Sequence, residues 1–268
     1  MPPFPFDFTL NKPNMEYVSE EINAVARVRK DTGNICPYPI PNVHNIIKHI
    51  EKTCYGVDKF NFISNLFECG ALAVSNKFDF INYDEREERY KQIMKAYEPS
   101  KQKAMSEIFA EIFALLSSVV YDNGVFADYL GEIFMGLNLG NKRTGQFFTP
   151  YNISKMSAKM VITDPTEKQT KDEIITVCDP CCGSGGMLIA ALDVLQNDYQ
   201  VNYARNCFID CGDIDSRCVH MAYLQLSLAG VPAIIKHQDA LSRQLWNVWR
   251  TPVFILQYHR FYKYENLN

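Results

Sequence analysis

Residues 177–192 read VCDPCCGSGGMLIAAL. A β-branched run (IITVCD, 174–179) meets an acid, a proline, two cysteines and three glycines, then passes into a helical pattern. Three chemistries compete for such a stretch. Cys178 with Cys181 makes a C-x-x-C and Cys207 with Cys211 a C-x-x-x-C, which raises zinc or redox chemistry. Against it, Cys178 falls in the expected strand, Asp179 and Pro180 fill the spacer, and no histidine lies close by, whereas structural zinc sites pair their ligands on tight turns. A dinucleotide fingerprint G-x-G-x-x-G fits at Gly183 and Gly185 but puts Leu188 where the third glycine belongs.

The third reading is strand, acid, loop, helix, in the form D-x-x-x-G-x-G. Asp179 ends the strand, where its carboxylate accepts from a ligand ammonium or from water. Gly183 and Gly185 let backbone approach a ligand, and Gly186 eases entry into the helix. The next strand ends in CGDID (211–215), where Asp213 is placed to accept from both ribose hydroxyls of a nucleoside. Its competing role is to cap the following helix, for which Asp215 stands better. The third strand, PAIIKHQD (232–239), ends in Asp239. That acid either accepts from the exocyclic amine of an adenine ring or caps a helix over ALSRQLW (240–246).

Working outward, strands alternate with the helices MLIAALDVLQ (187–196) and SRCVHMAYLQLSLAG (216–230), which predicts βαβ units and a parallel sheet covered on both faces. The helix over 187–196 is apolar nearly all round, as suits one wedged between the sheet and an N-terminal bundle. Upstream, GQFFTPYNISKMSAKMVI (145–162) reads as a loop and a helix starting near Asn152 or Ser154, followed by the polar linker TDPTEKQTKDE (163–173). Residues 43–138 carry helical spacing, beginning with Val43, Ile46, Ile47 and Ile50 on one face. DEREERYKQIMKAYEPS (84–100) opens with acids and closes at Pro99, and KAMSEIFAEIFALLSSVVYDNG (103–124) is apolar on most sides and stops at Gly124. Residues 1–40, rich in Pro and Asn, read as an irregular arm. The expected organisation is therefore an arm and helical domain over 1–140 and an α/β domain over 141–268.

The composition of this 268-residue chain, 47% hydrophobic and 22% charged, is that of a globular protein. Nine cysteines in a long chain without a basic-then-apolar leader predict buried thiols rather than a disulfide framework. No apolar run reaches the roughly 18–20 residues of a membrane span, so the expected protein is soluble, cytoplasmic and free of membrane. A net charge of −4 argues against a broad basic face, so any nucleic acid would be held by a local patch or a partner.

Taken in order, GQFFTP (145–150), DPCCGSGGM (179–187), CGDID and QDALS (238–242) resemble the N6-adenine DNA methyltransferases, especially the methylation subunits of type I restriction–modification systems. DYLGEIFMGLNLG (128–140) is similar to the approach to the first motif in those subunits, and the resemblance spans about residues 128–241. It implies a Rossmann-like, partial doubly wound methyltransferase sheet behind an N-terminal helical domain, with S-adenosylmethionine as cofactor. It also implies the site. Gln146, Phe147, Phe148, Thr149 and Pro150 would close over the methionine end, with Thr149 hydrogen-bonding it. Asp179 would face the ammonium side, with Pro180, Cys181, Gly183 and Gly185 lining the loop. Asp213 and Ile214 would take the ribose, and Asp239 and Ala240 the adenine. From its residues alone, GQFFTP reads as a loop that packs one or both phenylalanines in the core. The implied substrate is adenine in DNA, and the implied partner a specificity subunit or a second copy.

The chain departs from that family in one respect that bears on catalysis. The family's tetrapeptide N/D/S-P-P-Y/F grips the target amine and stacks on the flipped base. No such string occurs here, and the nearest is TPVF (251–254). Thr251, Pro252 and Phe254 are thus the candidate catalytic residues, although one hydroxyl replaces a carboxamide that both donates and accepts. The competing reading makes TPVFIL a fourth strand with Pro252 as its first residue. Four strands in place of the family's seven leave an edge to be covered by the bundle, by another subunit, or by residues lost from a truncated gene. The expectation is an S-adenosylmethionine-binding DNA methyltransferase of the N6-adenine class, the modification subunit of a restriction–modification system. The alternative is a degenerate, non-catalytic binding module of the same fold.

Overall fold

The computed structural model describes residues 41–121, 125–139, 148–163 and 174–264. Within them the apolar spacing upstream of the glycine loop forms α1 (Val43–Thr53), α2 (Lys59–Ser75), α3 (Tyr83–Lys95), α4 (Pro99–Tyr121), α5 (Tyr129–Gly136) and α6 (Tyr151–Val161). Asn42, Asp58 and Asp128 cap α1, α2 and α5 by accepting from backbone N–H groups of the first turn. Ile46 and Ile50 of α1 are fully buried, as their spacing requires. Pro99 opens α4 rather than closing the helix before it, which suits a residue with no N–H to lose. Helix α6 begins at Tyr151 behind Pro150, and Ser154 is buried inside it instead of capping it. Gly124, Gly140 and Gly145 lie outside the described residues.

The sheet follows the βαβ pattern. Strands β1 (Ile175–Asp179), β2 (Cys207–Asp213) and β3 (Ala233–Asp239) are parallel and adjacent in that order. Their crossovers are α7 (Gly186–Asn197), with the short α8 (Tyr203–Asn206), and α9 (Ser216–Leu228). Alternate strand residues face opposite layers. Ile209, Cys211, Ala233 and Ile235 join the main core with α7, α9 and the N-terminal helices, while Phe208 and Ile234 face a smaller cluster with Phe254 and Phe261. The main core gathers buried residues from Ile46 to Trp249. Helix α7 is buried from Leu188 to Leu195, with α6 packed along it.

Two readings left open beyond Asp239 do not match the structure. ALSRQLW is not a helix: the chain turns at Arg243, whose φ is +61°, into β4 (Gln244–Arg250), antiparallel to β3. TPVFIL is not a strand: Pro252–Leu256 forms the short helix α10, followed by α11 (Tyr258–Phe261). Pro252 occupies the first helical position, where its missing N–H and fixed φ cost least. The outer edge of β4 meets the N-terminal helices. Buried Arg86 of α3 donates to Val248 O at 3.0 Å and to Asp79 at 2.7 Å, with its guanidinium 4.2 Å from the Trp249 ring centroid.

Candidate nucleoside site at the carboxyl edge

Asp179, Asp213 and Asp239 are the last residues of β1, β2 and β3. Parallel pairing sets Asp179 beside Cys211 and Asp213 beside His237, so the three acids step along one edge of the sheet. Cys182 N donates to Gly212 O at 2.9 Å and Gly183 N to Asp213 Oδ2 at 2.9 Å, which fastens the glycine loop to the end of β2. Gly183 and Gly185 hold φ of +56° and +93°, left-handed backbone that favours glycine. A Cβ on Gly183 would also sit 3.3 Å from the Phe148 ring.

Asp179 Oδ1 accepts from Cys181 N at 3.0 Å. Asp213 accepts from Gly183 N through one oxygen and from Asp215 N, at 2.9 Å, through the other. The Ile214 N–H bonds the same carboxylate, and three backbone donors still leave it acceptor capacity for a ligand hydroxyl. Burial pushes the Asp213 carboxyl above its usual range, and the backbone N–H donors draw it back down. Asp215, not Asp213, caps α9, accepting from Arg217 N at 3.0 Å. Asp239 binds its own turn, accepting from the Ser242 hydroxyl at 2.8 Å and from Leu241 N at 2.9 Å, and these bonds lower its carboxyl. Beside them His237 Nε2 donates to Ile214 O at 3.2 Å, and its ring lies 4.8 Å from that of Trp246.

Other sequence-derived candidates fall as follows. Phe148 is half-buried, 5.6 Å from Phe134 of α5, while Thr149 and Pro150 are exposed at the start of α6. Gln146 and Phe147 lie outside the described residues. Pro180, Cys181 and Ile214 are exposed at the edge, and Ala240 is half-buried in the hairpin turn. The candidate catalytic set does not join them. Thr251 is fully buried, donating to Val231 O at 2.6 Å and accepting from Ala233 N at 2.9 Å, so its hydroxyl stitches the start of β3. Phe254 is fully buried against Phe208 and Phe261, where its ring has no free face to offer a base. Pro252 starts a helix.

Among the described residues Cys54, Cys69, Cys182, Cys207, Cys211 and Cys218 are buried packing groups, while Cys178 and Cys181 are exposed. Burial pushes the Cys54 thiol up to about 11 and Cys207 up to about 12. The bond to Cys211, then burial, raises Cys182. Among the described residues no group of three or more His, Cys, Asp or Glu side chains is placed to hold a metal ion.

One group beneath the loop escapes local sequence reasoning. Asp128, the cap of α5, is 4% exposed. Its Oδ1 accepts from Gly131 N at 3.0 Å and from Gln225 Nε2 of α9 at 2.8 Å, and its Oδ2 takes the Ser184 hydroxyl of the loop. Gln225 Nε2 also donates to Ser184 O at 2.7 Å. A Cβ on Gly186 would stand 2.7 Å from Asp128 Oδ2, so this carboxylate dictates the third glycine. A side-chain cap inside DYLGEIF is the only local trace of it.

Residues 126–257 match the family model described as N-6 DNA methylase. Among solved structures, the chain is similar to the type I restriction-modification system methyltransferase subunit from Streptococcus thermophilus, at 15% identity and a TM-score of 0.37, over 85% of this chain and 45% of that one. It is also similar to a Listeria monocytogenes protein named as a class I S-adenosylmethionine-dependent methyltransferase, at 17% identity and a TM-score of 0.37, over 70% of this chain and 56% of that one. The chain thus spans about half the length of the solved proteins it matches. No curated protein matches it.

Proposed function

Because residues 126–257 belong to the N-6 DNA methylase family, we propose that the carboxyl edge of the sheet binds S-adenosylmethionine in the service of N6-adenine methylation of DNA. The observation that carries this reading is the joined unit of glycine loop and Asp213. Of two left-handed glycines, Gly183 is tied by its N–H to an acid at the sheet edge that retains acceptor capacity for a ribose hydroxyl. In this reading Asp179 faces the ammonium end, Thr149 the methionine chain, and Asp239 with Ala240 the adenine. The bound cofactor supplies an electrophilic methyl group, and the chain's own residues orient it. DNA as the substrate, and a specificity subunit or a second copy as the partner, follow from the same reading.

A second reading is favoured by one observation. Thr251 and Phe254 are both buried and bonded or packed within the protein, so TPVF does not grip a base. The chain would then hold the cofactor as a binding module, with the base-gripping group contributed by another polypeptide. Two measurements separate the readings. Calorimetry with S-adenosylhomocysteine tests the site, and absence of binding at millimolar ligand rejects it. Transfer of a tritiated methyl group to adenine-rich DNA by the chain alone rejects the binding-module version.

A further inference from the structure

The glycine loop is held from below as well as from the sheet. Helix α5 reaches it through two residues. Phe134 packs on Phe148, which lies over Gly183, and Asp128 binds the Ser184 hydroxyl between the two left-handed glycines. The Asp128 carboxylate has hydrogen-bond donors on three separate elements: α5 itself, the loop, and Gln225 of α9. It also stands at the first residue of α7, where only a glycine leaves it room. The Asp128 carboxylate thus meets the first turns of α5 and α7, and the positive ends of those two helices offset part of the cost of burying it. A carboxylate in so enclosed a place is not a solvated cap. Burial raises its pKa, while Ser184, Gln225 and Gly131 hold it down.

We propose that Asp128 is the positioning residue of the glycine loop: through Ser184 it fixes the left-handed backbone at Gly183 and Gly185, so that the ligand affinity of the loop is set from helix α5. The inference rests on the reading of the loop as the cofactor site, and it adds that the upstream helices are part of that site. Asp128 touches no ligand in this scheme and acts only through the loop. The side-chain oxygen of Asn retains the bonds to Gly131 N and Gln225, and the Ser184 hydroxyl rotates to accept from the new amide. Asp128→Asn is therefore the rescuing substitution, and Asp128→Ala and Ser184→Ala the disabling ones.

The test follows amide hydrogen exchange over residues 181–186 in the unliganded full chain, together with calorimetric affinity for S-adenosylhomocysteine. Ser184→Ala is expected to speed loop exchange and to weaken binding by about tenfold each, with a modest fall in the urea midpoint because the buried Asp128 carboxylate loses one donor. Asp128→Ala does the same with some loss of stability, and Asp128→Asn restores both readouts. Asp79→Asn, in the Arg86 cluster, serves as the control: it lowers the urea midpoint and leaves loop exchange and affinity alone. Unchanged exchange and affinity in Ser184→Ala and Asp128→Ala, or equal changes in Asp79→Asn, overturn the proposal. If the unsubstituted chain binds no S-adenosylhomocysteine, the cofactor reading falls, and the exchange data still decide whether Asp128 positions the loop.

Discussion

Gly183 N donates to Asp213 Oδ2 at 2.9 Å, across an interval of 30 residues. The first glycine of the loop and the acid that ends β2 are therefore one rigid unit. An acid in this position does two jobs, since it shapes the loop and keeps lone pairs for a ligand.

Replacing Asp213 removes both. In Asp213→Ala the affinity for S-adenosylhomocysteine is expected to fall by about 10- to 100-fold, the range for losing bonds to a charged acceptor. Asp213→Asn keeps an acceptor for Gly183 N and should lose less. Equal affinities for all three proteins by calorimetry remove Asp213 from the site.

Phe254 offers a test of core against catalysis. The ring fills the cluster with Phe208 and Phe261. Phe254→Ala should cost about 3–5 kcal/mol in urea unfolding, the usual range for truncating a buried phenylalanine. Phe254→Leu should keep most of the stability and the cofactor affinity. A Phe254→Leu protein as stable as the original, yet devoid of a methyl transfer that the original performs, would return this residue to the catalytic set.

The Arg86–Asp79 pair is buried at both ends, 5% and 6% exposed. Arg86→Ala strands the Asp79 carboxylate and removes the cover from Val248 O and Trp249. The expected loss is about 3–5 kcal/mol, as for other buried pairs broken on one side. The double substitution Arg86→Met with Asp79→Leu should recover a large part of it. Additive losses in a double-mutant cycle would show that the two residues are not coupled.

Much of this molecule was legible in its sequence, for local reasons. Short apolar runs ending in acids marked β1, β2 and β3, because strand preference and the closing aspartate lie within a few residues of each other. Beyond Asp239 the same local signals were ambiguous. An aspartate that caps a helix and one that closes a turn make the same side-chain-to-backbone bonds, so Asp239 suggested a helix where the chain forms a hairpin. A proline tolerated at the first residue of a strand is equally tolerated at the first residue of a helix, so Pro252 could not distinguish the two. The cap at Asp128 was readable in principle. Its partners Ser184 and Gln225 lie 56 and 97 residues away, outside the reach of any local pattern.

His220 makes the fold sensitive to acid. Its ring is buried edge-on against Trp249, and burial pushes its pKa down to about 4. Glu68 and Asp215 favour its charge, and Arg89 and His237 oppose it. The unfolded chain takes up this proton near pH 6.5 while the folded one does not. Stability is therefore full above about pH 6.5 and lost as pH falls toward about 4, by up to about 1.4 kcal/mol per pH unit. Asp128 and Asp213, whose carboxyls are raised by burial, act in the opposite direction. The measurement is thus a difference: urea midpoints of His220→Leu and the unsubstituted protein should diverge from pH 7 to pH 4, and parallel curves refute the assignment.

Trp246 owes its place to an irregularity. Asn247 pairs with His237 but Leu245 with Gln238, so β4 carries one extra residue, and that residue is Trp246. A bulge re-aims a side chain that strict alternation would send to the other face. Here it lays the indole against His237, the β3 partner of Asp213, and leaves it 45% exposed. If the ribose sits at Asp213, a purine ring extends over this hairpin, where stacking on an aromatic side chain is worth about 1–3 kcal/mol. The other tryptophan, Trp249, is 4% exposed under Arg86 and does not meet the ligand. In a Trp249→Phe background, the remaining fluorescence should change saturably with S-adenosylhomocysteine. Trp246→Ala should weaken that ligand by at least about fivefold without changing the affinity for free methionine. A silent fluorophore, with Trp246→Ala binding as tightly as the unsubstituted protein, would detach the hairpin from the site and leave the bulge a feature of the sheet edge alone.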